Sequence, residues 1–231
     1  CTQAEKPIVV DVQDAPPIEY NITVPTTPVF PGNLVTWRSP AGQRELFSRT
    51  LESIRWNGNN SIILLGVARA RMDMPRTLEW MREEVKARLR PNGTLTLNRL
   101  GADFNNFGHY TEQFAATMVL SELLLQSVDD VIRVFPAWPR QRIARFQQLR
   151  TQGGFLVSSS LRAGTVESIE VESTAGGTLR LVSPWSKVVV RASTDTTLQP
   201  LTPDTQGIVQ ISTRPGDRWI FSANLVALAA N

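Results

Sequence analysis

The chain has 231 residues, 24 Lys and Arg against 21 Asp and Glu for a formal net charge of +3, and 42% hydrophobic against 19% charged residues. That is ordinary globular composition, which excludes collagen-like, disordered and coiled-coil chains, and the length admits one large domain or two modest ones. One cysteine permits no internal disulfide, one cysteine and one histidine argue against a Cys/His zinc site, and the longest apolar run, Ser61 to Ala68, falls far short of the ~18–20 residues a membrane span needs.

The first 37 residues hold Pro7, Pro16, Pro17, Pro25, Pro28 and Pro31. Proline at this density forbids a helix, so 1–37 reads as an extended lead-in lying on another part of the molecule, with a short strand at Pro7–Val12. Cys1 reads either as a lipidation site left by signal-peptide removal, which goes with an extracytoplasmic location, or as a fragment boundary. Helical spacing then begins at Ser39-Pro40, with Ser39 expected as N-cap, and runs through Leu46, Phe47, Thr50, Leu51 and Ile54 to Trp56. A second helix is expected over Asn60–Met72. A third is expected over Thr77–Arg90, with Leu78, Met81, Val85 and Leu89 on its buried face and Glu79, Glu83 and Glu84 in solvent. Pro91-Asn92-Gly93 is a turn, Thr94–Asn98 alternates briefly, and Leu100–Tyr110 is a loop. Thr111–Gln126 is a fourth helix, apolar on most of its surface through Phe114, Met118, Val119, Leu123, Leu124 and Leu125. A helix apolar nearly all round is buried among other helices, and three neighbours are too few to cover this one.

After Asp129-Asp130 the period becomes two. Strands are expected at Val131–Phe135, Phe155–Leu161, Val166–Ser173, Thr178–Ser183, Lys187–Ala192, Gly207–Thr213 and Arg218–Ala223, with a helical turn at Ile143–Leu149. Pro136-Ala137-Trp138-Pro139 makes a rigid corner, and Arg140, Arg142, Arg145 and Arg150 a solvated face. Arg162-Ala163-Gly164, Ala175-Gly176-Gly177 and Arg214-Pro215-Gly216-Asp217 read as hairpin-type connectors. Helices followed by strands predict an α+β chain: lead-in 1–37, helical part 38–130, and a small antiparallel β-sandwich at 131–231.

Three stretches carry a family resemblance. They are Phe30-Pro31-Gly32 with the following Arg49-Thr50 and Trp56; Val67-Ala68-Arg69-Ala70 followed by Met72; and the series Glu122 to Ser127, Val131 to Pro139, Leu149-Arg150 and Gly153-Gly154-Phe155. In order and spacing they resemble the closing part of glycoside hydrolase family 95, the α-L-fucosidase type, over roughly residues 30–185. The resemblance implies the last helices of an (α/α)6 toroid followed by a C-terminal β domain, in a longer protein whose remaining helices come from an N-terminal part or a second polypeptide. It implies hydrolysis of terminal sugars of oligo- or polysaccharides, an oligosaccharide or glycoside as partner, and no cofactor.

Glycoside hydrolysis uses two carboxyl groups across the scissile bond. In the family the acid comes from an earlier part of the toroid, and an Asp in a loop before the last buried helix activates water. Matching that loop by its distance from Glu122 puts the Asp position on Thr111, which cannot serve as a base near neutral pH. Glu112 is the nearest carboxylate and is the candidate catalytic group; its plain alternative is a first-turn residue favoured by the helix dipole, with Thr111 as N-cap. His109, Asp103, Asn105 and Asn106 in the same loop, and Trp56, are candidate sugar contacts, against ordinary turn chemistry and a helix-end core tryptophan. Taken alone, the chain is expected to be catalytically silent. The substitution at the Asp position leaves open a second reading, a non-catalytic carbohydrate-binding or assembly protein on the same scaffold, in one form a surface lipoprotein. Few of the basic residues are lysine (Lys6, Lys86, Lys187), and no Lys/Arg block is interleaved with aromatics, so nucleic acid is not an expected partner.

Overall fold

The computed structural model describes residues 7–12, 23–54, 61–96 and 110–223, and the chain forms two compact units, Cys1–Leu123 and Leu124–Asn231. Among the described residues the first holds a 3-10 turn (Val24–Thr26) and four helices: α1 (Ala41–Ser53), α2 (Ser61–Arg71), α3 (Thr77–Arg88) and α4 (Tyr110–Leu124). The second holds, among its described residues, ten strands in two sheets, so the class is α+β, helices followed by a β-sandwich. No helix among the described residues is long and apolar enough to cross a membrane.

Residues 7–12 of the lead-in lie on α1 and do not form the expected strand. The Val9 N–H donates to Thr50 Oγ1 at 2.9 Å and Arg49 Nε donates to the Pro7 carbonyl at 3.2 Å, so side chains of α1 satisfy the extended backbone. Nor does Ser39 cap α1. Pro40 occupies the N-cap, and the Ser39 hydroxyl instead accepts the Thr36 N–H at 3.0 Å in the turn leading in.

Helix α2 sits at the centre of this unit. Ile62, Leu65, Val67, Ala68 and Ala70 are all buried. Phe47 and Leu51 of α1, Val29 and Val35 of the lead-in, and Met72 and Met74 close one side. On another side Gly66 admits two neighbours: a Cβ there would stand 2.6 Å from Val119 Cγ2 of α4 and 3.2 Å from the Trp80 ring of α3.

Helix α3 departs from its expected face. Its buried residues are Thr77, Leu78, Met81, Glu84 and Arg88, while Leu89 is 47% exposed. Glu84 is therefore not a solubility charge. The Arg88 guanidinium, wholly buried, donates to the Glu84 carboxylate one turn back and to the Glu84 carbonyl. The Arg88 carbonyl accepts the Thr96 N–H at 2.9 Å, closing the turn at Pro91-Asn92-Gly93. A pattern of apolar residues cannot reveal a face built on a paired charge.

In the β unit, one sheet has the order β1 (Leu125–Val128), β2 (Val131–Val134), β6 (Gly177–Val182), β9 (Ile208–Thr213). The other runs β3 (Ala144–Thr151), β4 (Phe155–Arg162), β5 (Thr165–Ser173), β10 (Arg218–Ser222), β7 (Val188–Ala192), β8 (Gln199–Leu201). Alternate residues such as Phe155, Val157 and Leu161 of β4 join Ile132, Leu179, Leu181 and Val209 of the facing sheet in one core. The hairpin turns Asp129-Asp130 and Ala163-Gly164 both have positive φ at their two central residues, the geometry whose twist matches paired strands.

Four expectations need correcting here. Ile143–Leu149 is not a helical turn; it lies mostly in edge strand β3, whose register slips between Phe146 and Leu149. The fourth helix ends at Leu124, and the chain passes directly into β1. Ala175-Gly176-Gly177 and Arg214–Asp217 are not hairpins but crossovers between the sheets, pinned side by side by Ser173, whose N–H donates to the Asp217 carbonyl and whose carbonyl accepts the Gly216 N–H. Because β6 arrives by such a crossover, it pairs with β2 in parallel, an exception in an otherwise antiparallel sandwich.

Two stability measurements test this packing. Gly66→Ala forces α4 or α3 away from α2 and lowers the urea stability of the helical unit by about 1–3 kcal/mol; an unchanged midpoint would contradict the close approach. Arg88→Ala takes the guanidinium away from a buried carboxylate and costs about 3–5 kcal/mol, whereas the paired change Glu84→Leu with Arg88→Met costs far less; equal losses would show that pairing does not hold the face.

Candidate functional site

Of the sequence-predicted site residues, Trp56, Asp103, Asn105, Asn106 and His109 lie outside the described residues. Glu112 lies in the first turn of α4, which begins at Tyr110. Thr111 is thus inside the helix and is not its N-cap. By the 3.6-residue period Glu112 shares its register with Ala116, Val119 and Leu123, of which Val119 and Leu123 are fully buried. The opposite stripe, Phe114, Thr117 and Ser121, is exposed.

The direction of the helices follows from their contacts. Gly66 of α2 meets Val119 of α4, and Arg71 of α2 pairs with Glu122 of α4. Both contacts advance in the same sense, so α2 and α4 run in the same general direction where they meet. At 1.5 Å per residue the start of α2 lies about 7–8 Å before Gly66, and Glu112 lies about 10–11 Å before Val119. Both helix starts are therefore at one end of the helical unit. The chain enters α2 from residue 60 and α4 from residue 109, so the two segments that hold the candidate sugar contacts both join the described structure at that end. The positive poles of the two helices also lie there.

At the other end of α2 a charged clamp holds the same helices. Arg71 donates to both carboxylate oxygens of Glu122, Nη2 at 3.0 Å and Nε at 3.2 Å, and to Asn33 Oδ1. Its guanidinium carbon stands 4.9 Å from the centroid of the Phe30 ring. Both charged side chains are largely buried, at 13% and 14% exposure. Phe30 and Glu122 belong to two of the stretches on which the family resemblance rests, and Arg71 lies between Ala70 and Met72 of the third. Arg71 also closes the last turn of α2, where a cation is favoured by the dipole. Two residues back, Arg69 packs on Trp80 with its guanidinium carbon 5.4 Å from the ring centroid. Burial lowers the Arg69 pKa from the ordinary arginine value, and the charge of Glu52 acts in the opposite direction.

Neither arginine was singled out as a site from sequence, although a signal was present. A charge set in a helix apolar on all sides must be paired or stacked, and Arg69, Arg71 and Glu122 are such charges. The chain matches no protein-family model and no curated protein.

A double-mutant cycle checks the clamp. Arg71→Ala and Glu122→Ala are each expected to destabilise the helical unit by about 2–5 kcal/mol, with a coupling energy of about 1–3 kcal/mol in urea unfolding. Additive losses would mean that the two side chains act independently.

Proposed function

We propose that this chain is the C-terminal part of a glycoside hydrolase of the fucosidase type, contributing the last helices of an (α/α)6 toroid, one wall of a sugar pocket and a β domain. The observation that carries the proposal is the contact of α2 with α4 at Gly66/Val119 and Arg71/Glu122, whose order gives the two helices the same sense. In such a toroid, inner helices run parallel around the axis and outer helices return between them. Here α2 is buried on several sides, and the short link from Arg71 to Thr77 returns the chain through α3. Glu112 lies in the first turn of α4, the second inner helix, where an anion is favoured by the helix dipole.

In this reading Glu112 activates water, or orients it against the anomeric carbon, and a general acid on the completing helices protonates the leaving oxygen. Asp103, Asn105, Asn106, His109 and Trp56 contact the sugar. The completing helices come from an N-terminal part or a second polypeptide. They cover α4 on the stripe where Phe114 is 69% exposed, next to half-buried Met118. Handling of polysaccharide fits an extracytoplasmic location. Thr111 at the family's Asp position favours the second reading, a carbohydrate-binding or assembly protein on the same scaffold.

Hydrolysis of aryl glycosides by the complete assembly separates the two. Glu112→Gln is expected to lower kcat by at least about 100-fold with little change in KM, the usual scale for loss of a general base. Undiminished turnover would remove Glu112 from the chemistry. Sugar binding without any turnover by the unaltered protein would select the binding reading.

A further inference from the structure

Between Asp130 and Glu167 the sequence carries Arg133, Arg140, Arg142, Arg145, Arg150 and Arg162 and no acidic residue. Four of these arginines gather at one end of the β unit. The turn after the proline corner, residues 140–143, is exposed at all four positions, with Ile143 72% exposed. Its backbone is braced. The Arg142 N–H donates to the Pro139 carbonyl at 2.9 Å, and Trp138 Nε1 donates to the Arg142 carbonyl at 3.3 Å while the Trp138 ring packs against the sandwich core. Arg145 follows on β3, exposed between buried Ala144 and Phe146, so it stands on the outer face of the sheet. Its register partner on β4 is Ser160, and Arg162 lies two residues further along the same face. The adjoining hairpin turn reaches the tip: a Cβ at Gly164 would stand 3.8 Å from the Arg140 carbonyl oxygen. Glu167 offsets one of these charges, with its carboxylate 3.3 Å from Arg162 Nε and accepting the Ser160 hydroxyl.

Charges on an edge strand keep sheets from pairing edge to edge, which accounts for Arg145 and Arg150 on β3. A single exposed isoleucine is also ordinary. Neither accounts for an isoleucine held out among arginines on a braced turn. A soluble polyanion would gain from the arginines and nothing from Ile143. An acidic peptide is held by a groove or a sheet edge. The turn is no groove, and the β3 edge behind it is broken by the register slip between Phe146 and Leu149. A bilayer with anionic lipids offers both chemistries: negative charge at its surface for the arginines and, just beneath, the start of the acyl chains for an apolar side chain.

We propose that the turn at residues 140–143, with Arg145 and Arg162 beside it, is a docking surface for an anionic lipid bilayer. Ile143 enters the headgroup region and the arginines lie against the lipid charges. Because the turn is already fixed by Trp138, little ordering opposes binding. The surface lies wholly within the β unit and depends on neither reading of the function above.

The test is cosedimentation of the protein as it occurs with vesicles of phosphatidylcholine alone and of equal parts phosphatidylcholine and phosphatidylglycerol, at low and high salt, beside a titration with dextran sulfate. The protein is expected to associate with the mixed vesicles, less so as salt is raised, and not with phosphatidylcholine alone. Arg140→Gln with Arg145→Gln is expected to weaken the association by about tenfold or more. Ile143→Ser is expected to weaken it by about fivefold without changing the binding of dextran sulfate. Arg180→Gln with Arg214→Gln removes the same charge from exposed positions elsewhere on the β unit and is expected to leave the association unchanged. All five positions are exposed, so the substitutions spare the core. No association with the mixed vesicles would overturn the proposal, and so would equal association with phosphatidylcholine alone. An equal loss on changing Arg180 and Arg214 would also overturn it, because net charge alone would then be read. Full vesicle binding by Ile143→Ser would overturn the bilayer as occupant in favour of a soluble polyanion.

Discussion

Helix α2 carries no polar face along its first ten residues except at Ser61 and Arg69, and the helical unit is arranged around that fact. A helix of this kind is stable in water only when other elements cover it on every side. Phe47 and Leu51 of α1 cover one side, Trp80 of α3 a second and Val119 of α4 a third. The last two approach closely because residue 66 has no side chain. Fixing α2 in this way fixes the direction of α4, and with it the end of the unit at which Glu112 stands.

The charges of the unit follow from the same constraint. At the end of an apolar helix each arginine had to find an anion, an aromatic face or solvent. Arg71 has Glu122, Asn33 and Phe30. Arg88 has Glu84 and is wholly buried. Arg69 has the face of Trp80 and the charge of Glu52. The first two are structural pairs, which fix geometry more than they add stability.

Much of the fold was legible because the apolar period changes from 3.6 to 2 near residue 125, and the strands with unbroken alternation were the ones recognised. Strand β3 was not, because its bulge leaves Phe146 and Leu149 three residues apart, a helical spacing, with Gln148 at φ 51° between them. The junction of α4 and β1 was blurred because Leu123, Leu124 and Leu125 are apolar on either reading. Glycine and proline marked the crossovers as turns, but a turn residue does not say which sheet the next strand joins. The buried Glu84 escaped because its partner, four residues on, is another charge. For the candidate site, the sequence supplied residue types and spacing, while the common direction of α2 and α4 came from contacts between residues more than fifty apart in the chain.

The central claim is that these four helices belong to a larger ring. Native mass spectrometry of the protein as it occurs, combined with hydrogen exchange across α4, addresses it directly. The account predicts that this chain travels with further helical polypeptide, covalently joined or associated, and that the amides around Phe114 are protected only in that larger species. A stable species of 25.7 kDa with α4 fully protected would contradict it.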